Sequence, residues 1–169
     1  MIVMKPNAFL LNVLFILFSL SLFSQQREFY SLDEALKTPD QVKVLILKKQ
    51  RLKAIPSQIY ELKNLEKLSL SRNAITTISD SISMLKNLHY IDLSSNNITS
   101  LPCTLTSLPI DTLILWDNPL YALDTCFAIL PLKYLDIRAI TLNVGEQNAI
   151  LSLFPKARIR KNRPCNCER

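Results

Sequence analysis

Apolar residues recur along this chain in a fixed frame. Segments beginning at Val42, Leu65, Leu88, Ile110, Leu132 and Phe154 align at a period of 23 and then 22 residues. Each carries apolar side chains at its first, fourth and sixth positions. These are Val42, Leu45, Leu47; Leu65, Leu68, Leu70; Leu88, Ile91, Leu93; Ile110, Leu113, Leu115; Leu132, Leu135, Ile137; and Phe154, Ala157, Ile159. Position nine reads Gln50, Asn73, Asn96, Asn118, Ile140 and Asn162, and position eleven reads Leu52, Ile75, Ile98, Leu120, Leu142 and Pro164. Alternation at positions four and six is the period of a strand with one buried face. Later apolar residues such as Ile55, Ile59 and Leu62 are spaced by four and three, as on a helical or 3₁₀ turn. Each unit therefore predicts a short strand, a turn and a return arm. One unit cannot bury its apolar side alone, but stacked units can, with parallel strands and a continuous core. An asparagine at position nine suits the strand exit, because its side chain can hydrogen-bond the backbone there.

Three segments, LEKLSLSRNAI (65–75), LHYIDLSSNNI (88–98) and IDTLILWDNPL (110–120), resemble the leucine-rich repeat pattern LxxLxLxxNxL. LKAIPSQIYELKNL (52–65) resembles the return arm of its typical long class. The resemblance covers residues 42 to 142 and extends more weakly to 162. It implies an α/β fold, a right-handed leucine-rich repeat solenoid. Its parallel strands would line the concave face, with short helical or 3₁₀ arms on the convex face. It also implies binding through the concave face, mostly of proteins and sometimes of glycans or lipids.

The ends of such a stack need covers. Residues 26–41 read as an N-terminal helical cap. Ser31 to Glu34 has the form of a capping box and opens a short helix to Lys37, which Pro39 ends. The repeats run over 42–153, about five of them, and 154–169 is a C-terminal edge strand with a cysteine-containing tail. The pattern decays near this end. Ile140 replaces the asparagine, Gly145 stands where a core residue belongs, and Glu146 to Leu153 reads as helical, stopped by Pro155. On the returning strand, Lys156, Arg158, Arg160 and Lys161 point outward. Two readings stand beside each other: charges that keep an edge strand from pairing with another molecule, and a basic patch for an acidic partner.

Residues 1–25 read as a secretory signal: Lys5 before a mainly apolar run from Ala8 to Phe23, then polar Ser24 and Gln25. Cleavage after Ser21 or Ser24 fits, and the alternative is an uncleaved anchor. The localisation expected is secreted or extracytoplasmic. An even count of four cysteines suits that setting. Cys103 and Cys126 occupy the return arms of adjacent units, where stacking brings their backbones into disulfide range. Cys165 and Cys167 can pair with each other, stay as thiols or reach a partner.

Composition narrows the chemistry. The 169 residues carry a net charge of +6 and 31 leucines, but one glycine and one histidine. A phosphate-cradling loop needs several glycines and a zinc hydrolase motif needs at least two histidines, so neither can be built. No enzyme activity or cofactor is expected. Asp92 and Asp136 share a unit position two coils apart, roughly 10 Å by strand spacing. That suits an inverting carboxylate pair, but a flat strand face has no pocket to raise one of them.

Outward strand positions are free to serve binding. Tyr90, Asp92, Ile114, Trp116, Tyr134, Asp136 and Arg138 fall on three adjacent strands and form an aromatic and charged cluster. Tyr, Trp and Arg are enriched at binding hot spots, and Trp116 is the only tryptophan. The expected role is recognition of a protein partner there; the alternative is carbohydrate or cell-wall binding by the same surface. The chain is expected to act as a monomer, with neither nucleic acid nor, once the signal is removed, a membrane as partner. Asn97-Ile98-Thr99 is an N-glycosylation triplet, meaningful only in a eukaryotic source.

Overall fold

The computed structural model describes residues 28–162. The proposed signal and the pair Cys165 and Cys167 lie outside the described residues. Seven parallel strands form one open sheet in chain order. They are β1 (Glu28–Phe29), β2 (Val44–Ile46), β3 (Lys67–Ser69), β4 (Tyr90–Asp92), β5 (Thr112–Ile114), β6 (Tyr134–Asp136) and β7 (Arg158–Arg160). Helix α1 (Leu32–Ala35) follows β1, and helix α2 (Val144–Leu153) precedes β7. Between the strands the return arms carry single 3₁₀ turns, at Ser57–Glu61, Asp80–Met84, Cys103–Ser107 and Thr125–Ile129.

The repeat frame explains the core. Position four supplies Leu45, Leu68, Ile91, Leu113 and Leu135, and position six supplies Leu47, Leu70, Leu93, Leu115 and Ile137, all fully buried. Each arm adds one fully buried side chain from the middle of its 3₁₀ turn: Ile59, Ile82, Leu105 and Phe127. Burial of such a side chain contributes about 1.5–3 kcal/mol before chain entropy is charged. The turns close by i→i+3 bonds such as Ile59 N–H to Pro56 O, 3.1 Å. Ser79 and Asp124 start two of them by accepting the amides of Ser81 and Cys126.

The asparagines form a ladder through the stack. Asn96 donates to Leu70 O of the previous coil at 3.0 Å and to Leu93 O of its own at 2.9 Å. Its Oδ1 accepts the Ile75 amide at 3.0 Å. Asn73 and Asn118 repeat this scheme. The ladder satisfies backbone groups that the strand leaves unpaired as it turns. Just before it, the chain turns through the left-handed region at position eight, with φ of 59° at Lys49, 58° at Arg72, 52° at Ser95, 59° at Asp117 and 49° at Ala139.

The ends depart from the sequence reading in four ways. The N-terminal cap is not wholly helical, because β1 pairs in register with β2; two residues are too short to show a period. Helix α1 stops at Ala35, and the Ser31 side chain makes no cap bond. Glu34 instead reaches Lys37 at 2.7 Å, which removes it from a capping box. The capping box lies at the other helix, where Asn143 Oδ1 accepts the Glu146 amide at 2.9 Å and Glu146 accepts the Asn143 amide at 2.7 Å, so α2 starts two residues earlier than Glu146. Finally, β7 pairs Arg158 with Tyr134, Ile159 with Leu135 and Arg160 with Asp136. Ile159 therefore takes the fourth position rather than the sixth, a shift of two residues that α2 takes up.

Candidate functional site

The outward face of the sheet carries three columns. The first runs Val44, Lys67, Tyr90, Thr112, Tyr134, Arg158, and the second runs Ile46, Ser69, Asp92, Ile114, Asp136, Arg160, each in strand register. The third, just past the strands, runs Lys48, Ser71, Ser94, Trp116, Arg138. Backbone bonds from Ser95 N–H to Trp116 O at 2.8 Å and from Asp117 N–H to Arg138 O at 3.0 Å keep this last row aligned. Tyr90, Ile114, Trp116, Tyr134 and Arg138 are half-buried and spread across β4–β6, with Thr112 between Tyr90 and Tyr134. Burial raises the Tyr90 phenol above its ordinary pKa, helped by the nearby Asp92 and Tyr134. Val44 is outward by parity but buried, 5% exposed.

The two aspartates of the cluster are engaged within it. Asp92 accepts from Ser94 Oγ at 2.6 Å, Ser94 N at 3.0 Å and Ser69 Oγ at 3.1 Å. Asp136 is 3% exposed. It takes Arg138 Nη2 on Oδ2 at 2.7 Å and Arg138 Nε on Oδ1 at 2.9 Å, and also accepts the Arg138 amide at 3.2 Å. The side-chain bond to Asp136 holds the Arg138 guanidinium pKa above its usual value. These bonds brace each strand exit and fix Arg138 in a two-pronged geometry. The face encloses neither carboxylate. Two shallow cavities, of about 300 Å³ and about 360 Å³, open instead on the arm side, against Leu123, Leu142 and Ile150 and against Leu130, Pro131 and Phe154.

The four cations of the last unit separate. Arg158 and Arg160 stand exposed on the strand face, in register with Tyr134 and Asp136. Lys156 lines the second cavity, and Lys161 Nζ lies 3.4 Å from Asn148 Oδ1 of α2.

Cys103 and Cys126 face each other with Cα atoms 5.9 Å apart, inside the disulfide range. With Asp124 they also make up a set of three candidate metal ligands. Asp124 Oδ1, however, accepts the Cys126 amide at 2.9 Å, and a bridged pair offers no thiolate.

One row escaped the sequence reading. Position two of successive units carries Lys43, Glu66, His89, Asp111 and Lys133, a file of charged and polar side chains beside the strand starts. Lys43 meets Glu66 at 2.8 Å, His89 Nδ1 stands 3.7 Å from Asp111, and Lys133 meets Asp111 at 2.9 Å. The hydrogen bond from Lys43 lowers the Glu66 pKa against a burial effect that raises it. Burial raises the Asp111 pKa, but Lys133, Thr112 and His89 together bring it below its ordinary value. The signal was the fixed second position, visible only once the frame is read for charge.

The leucine rich repeat family profile matches residues 40–98. Internalin C2 of Listeria monocytogenes is similar over 83% of this chain and 62% of its own, with a TM-score of 0.57 and 22% identity. The fold is a leucine-rich repeat solenoid. A leucine-rich repeat protein of Leptospira interrogans is also similar, with a TM-score of 0.49 and 24% identity, over 80% of this chain and 46% of its own. The chain thus spans less than two thirds of either structure. No curated protein matches it. Repeat solenoids of this kind present extended surfaces and serve as binding modules. No helix among the described residues is long and apolar enough to cross a membrane.

Proposed function

We propose that this leucine-rich repeat protein is an exported, non-catalytic module that binds a protein partner through its strand face. Trp116, Tyr90 and Tyr134 anchor the partner, Ile114 adds apolar contact, and Asp92, Asp136 and Arg138 set the polarity around them. The observation carrying the reading is the alignment of half-buried aromatics on adjacent strands of a sheet face that nothing in the chain's described part covers. A preformed surface of this kind loses little entropy on docking. Export is supported by the N-terminal apolar run and by the facing pair Cys103 and Cys126, which suits an oxidising compartment as a disulfide. The test is affinity capture with the purified protein and its Trp116→Ala, Tyr134→Ala double variant. Loss of a hot-spot anchor costs about 2 kcal/mol or more, roughly 30-fold in Kd. A captured partner retained at full affinity by the double variant refutes the reading.

A carbohydrate reading has one observation behind it: Ser69, Ser94 and Asp92 set hydroxyl and carboxylate groups beside the aromatics. A glycan array separates the two, since sugar binding that disappears with Trp116→Ala selects the carbohydrate reading. The N-terminal sequence of exported protein is expected to begin between Leu22 and Gln26.

A further inference from the structure

We propose that the C-terminal end of the strand face receives an extended acidic segment of the partner protein, with alternate carboxylates seated on Arg158 and Arg160. The inference rests on the protein-binding reading above and names the partner's chemistry.

The register shift of β7 is what creates this arrangement. It sets Arg158 beside Tyr134 and Arg160 beside Asp136. Three guanidiniums therefore share this end of the face: Arg158 and Arg160 on β7, and Arg138 at the β6 exit, the one of the three beside Trp116. Asp136 neutralises Arg138 through its two-pronged bond. Among the described residues no carboxylate is paired with Arg158 or Arg160, so their charge is uncompensated. Both are exposed, while Ile159 between them packs toward the core. Edge protection requires charge on a last strand. It does not require one sign only, set beside an aromatic row.

The spacing selects the ligand. Arg158 and Arg160 are two residues apart on one strand, roughly 6.6 Å. Alternate side chains of an extended peptide have the same interval. Guanidinium forks match carboxylates in two-point geometry. Tyr134, in register with Arg158, and Trp116, one coil further along the face beside Arg138, give the rest of the peptide an apolar footing. At the other end of the face Lys67 also stands in register with an aromatic, Tyr90, whereas Lys48 and Arg72 lie beside serines of the adjacent coil, Ser71 and Ser95.

The sole tryptophan reports directly on this site. A synthetic peptide with a Ser-Glu-Ser-Glu-Ser centre, added to the intact protein, is expected to change Trp116 fluorescence saturably. Its affinity should fall with added salt, because exposed charges are screened. The Gln-substituted peptide is expected to bind at least about tenfold more weakly. Arg158→Gln with Arg160→Gln should produce a similar loss, and Lys48→Gln with Arg72→Gln less than about a twofold change. Both arginines are exposed, and an unchanged thermal melt verifies the fold of each variant. No response to the acidic peptide, or equal affinity in the Arg158, Arg160 variant, overturns the proposal. A heparin fragment that binds more tightly than the peptide and is not displaced by it overturns it in favour of a sulfated glycan. Where partner capture needs Trp116 but survives the arginine substitutions, this inference falls and the protein-binding reading stands. Where capture needs neither, both fall.

Discussion

From β3 to β5 every strand exit is held by an asparagine, half-buried at Asn73 and buried at Asn96 and Asn118. From β6 to β7 the same corner is held by three unrelated residues. In the middle, Asn73, Asn96 and Asn118 each bridge two coils through their amide groups. At the end, Ile140 fills the ninth position with apolar bulk, 6% exposed. Thr141 Oγ1 then donates to Leu120 O at 2.6 Å, and Asn162 Oδ1 accepts the Ala139 amide at 2.9 Å. The middle uses one residue type to close several backbone groups per coil; the end closes them singly. The contrast teaches that the ladder supplies regularity. Where it lapses, a longer unit and a helix can enter, and a new register with them.

The comparison breaks most visibly at Asn96. Asn96→Ala leaves the buried Ile75 amide without its acceptor and removes one of the two asparagine donors on each of Leu70 O and Leu93 O, and is expected to lower unfolding stability by about 3 kcal/mol. Asn162→Ala removes one exposed bond and should cost about 1 kcal/mol or less. Urea titration of both variants decides; equal losses erase the distinction. A bridge between Cys103 and Cys126, whose Cα atoms lie 5.9 Å apart, would tie the arm after β4 to the arm after β5, at the boundary of the two regions. Replacing both cysteines by serine should cost about 3 kcal/mol, and non-reducing peptide mapping should find the two linked.

Smaller effects sharpen the same boundary. Ala139 adopts φ of 49° at the exit of β6, so Ala139→Gly is expected to add about 1 kcal/mol. Gly145 is not in the left-handed region, and an added Cβ would stand 3.2 Å from Asn143 Oδ1. Gly145→Ala trades helix propensity against that cap contact and should change stability by less than about 0.5 kcal/mol. Differential scanning calorimetry reads both. Least of all is Asp111, which ties the β5 coil to Lys133 before β6. Its folded pKa is lowered. Its contribution is therefore present above the ordinary carboxylate pKa and is lost as pH falls through the lower folded value. Asp111→Asn should reduce stability at pH 7 by less than about 0.5 kcal/mol. It should also reduce the further loss on acidification below about pH 4, measured as the difference in urea midpoint between neutral and acid buffer.

The frame of apolar positions was legible because each unit repeats it, and a single misread residue is outvoted. Register at β7 was not. Ala157 and Ile159 alternate with period two, so a slip of two residues leaves every strand side chain on its face. Parity placed Arg158 and Arg160 outward in either register; it could not say which residues they meet. Much the same holds for Asp136. Its outward parity was readable, but not the return of Arg138 onto it, which leaves the carboxylate 3% exposed. The capping signal was present at both helices. At Ser31 the following glutamate has a nearer cation in Lys37, and at Asn143 it has none within the turn.

The row of left-handed exits has a consequence for how this chain arrived at its sequence. Position eight asks for glycine in every coil, and holds Lys49, Arg72, Ser95, Asp117 and Ala139 instead. The one glycine sits where the backbone has no need of it. Glycine at any of these five positions is expected to relieve the left-handed backbone and to leave the core untouched. Such a reserve is what accumulates in a protein held to a threshold of stability rather than driven to its maximum. It also marks position eight as the site where an engineer could add robustness without disturbing the outward columns of the sheet.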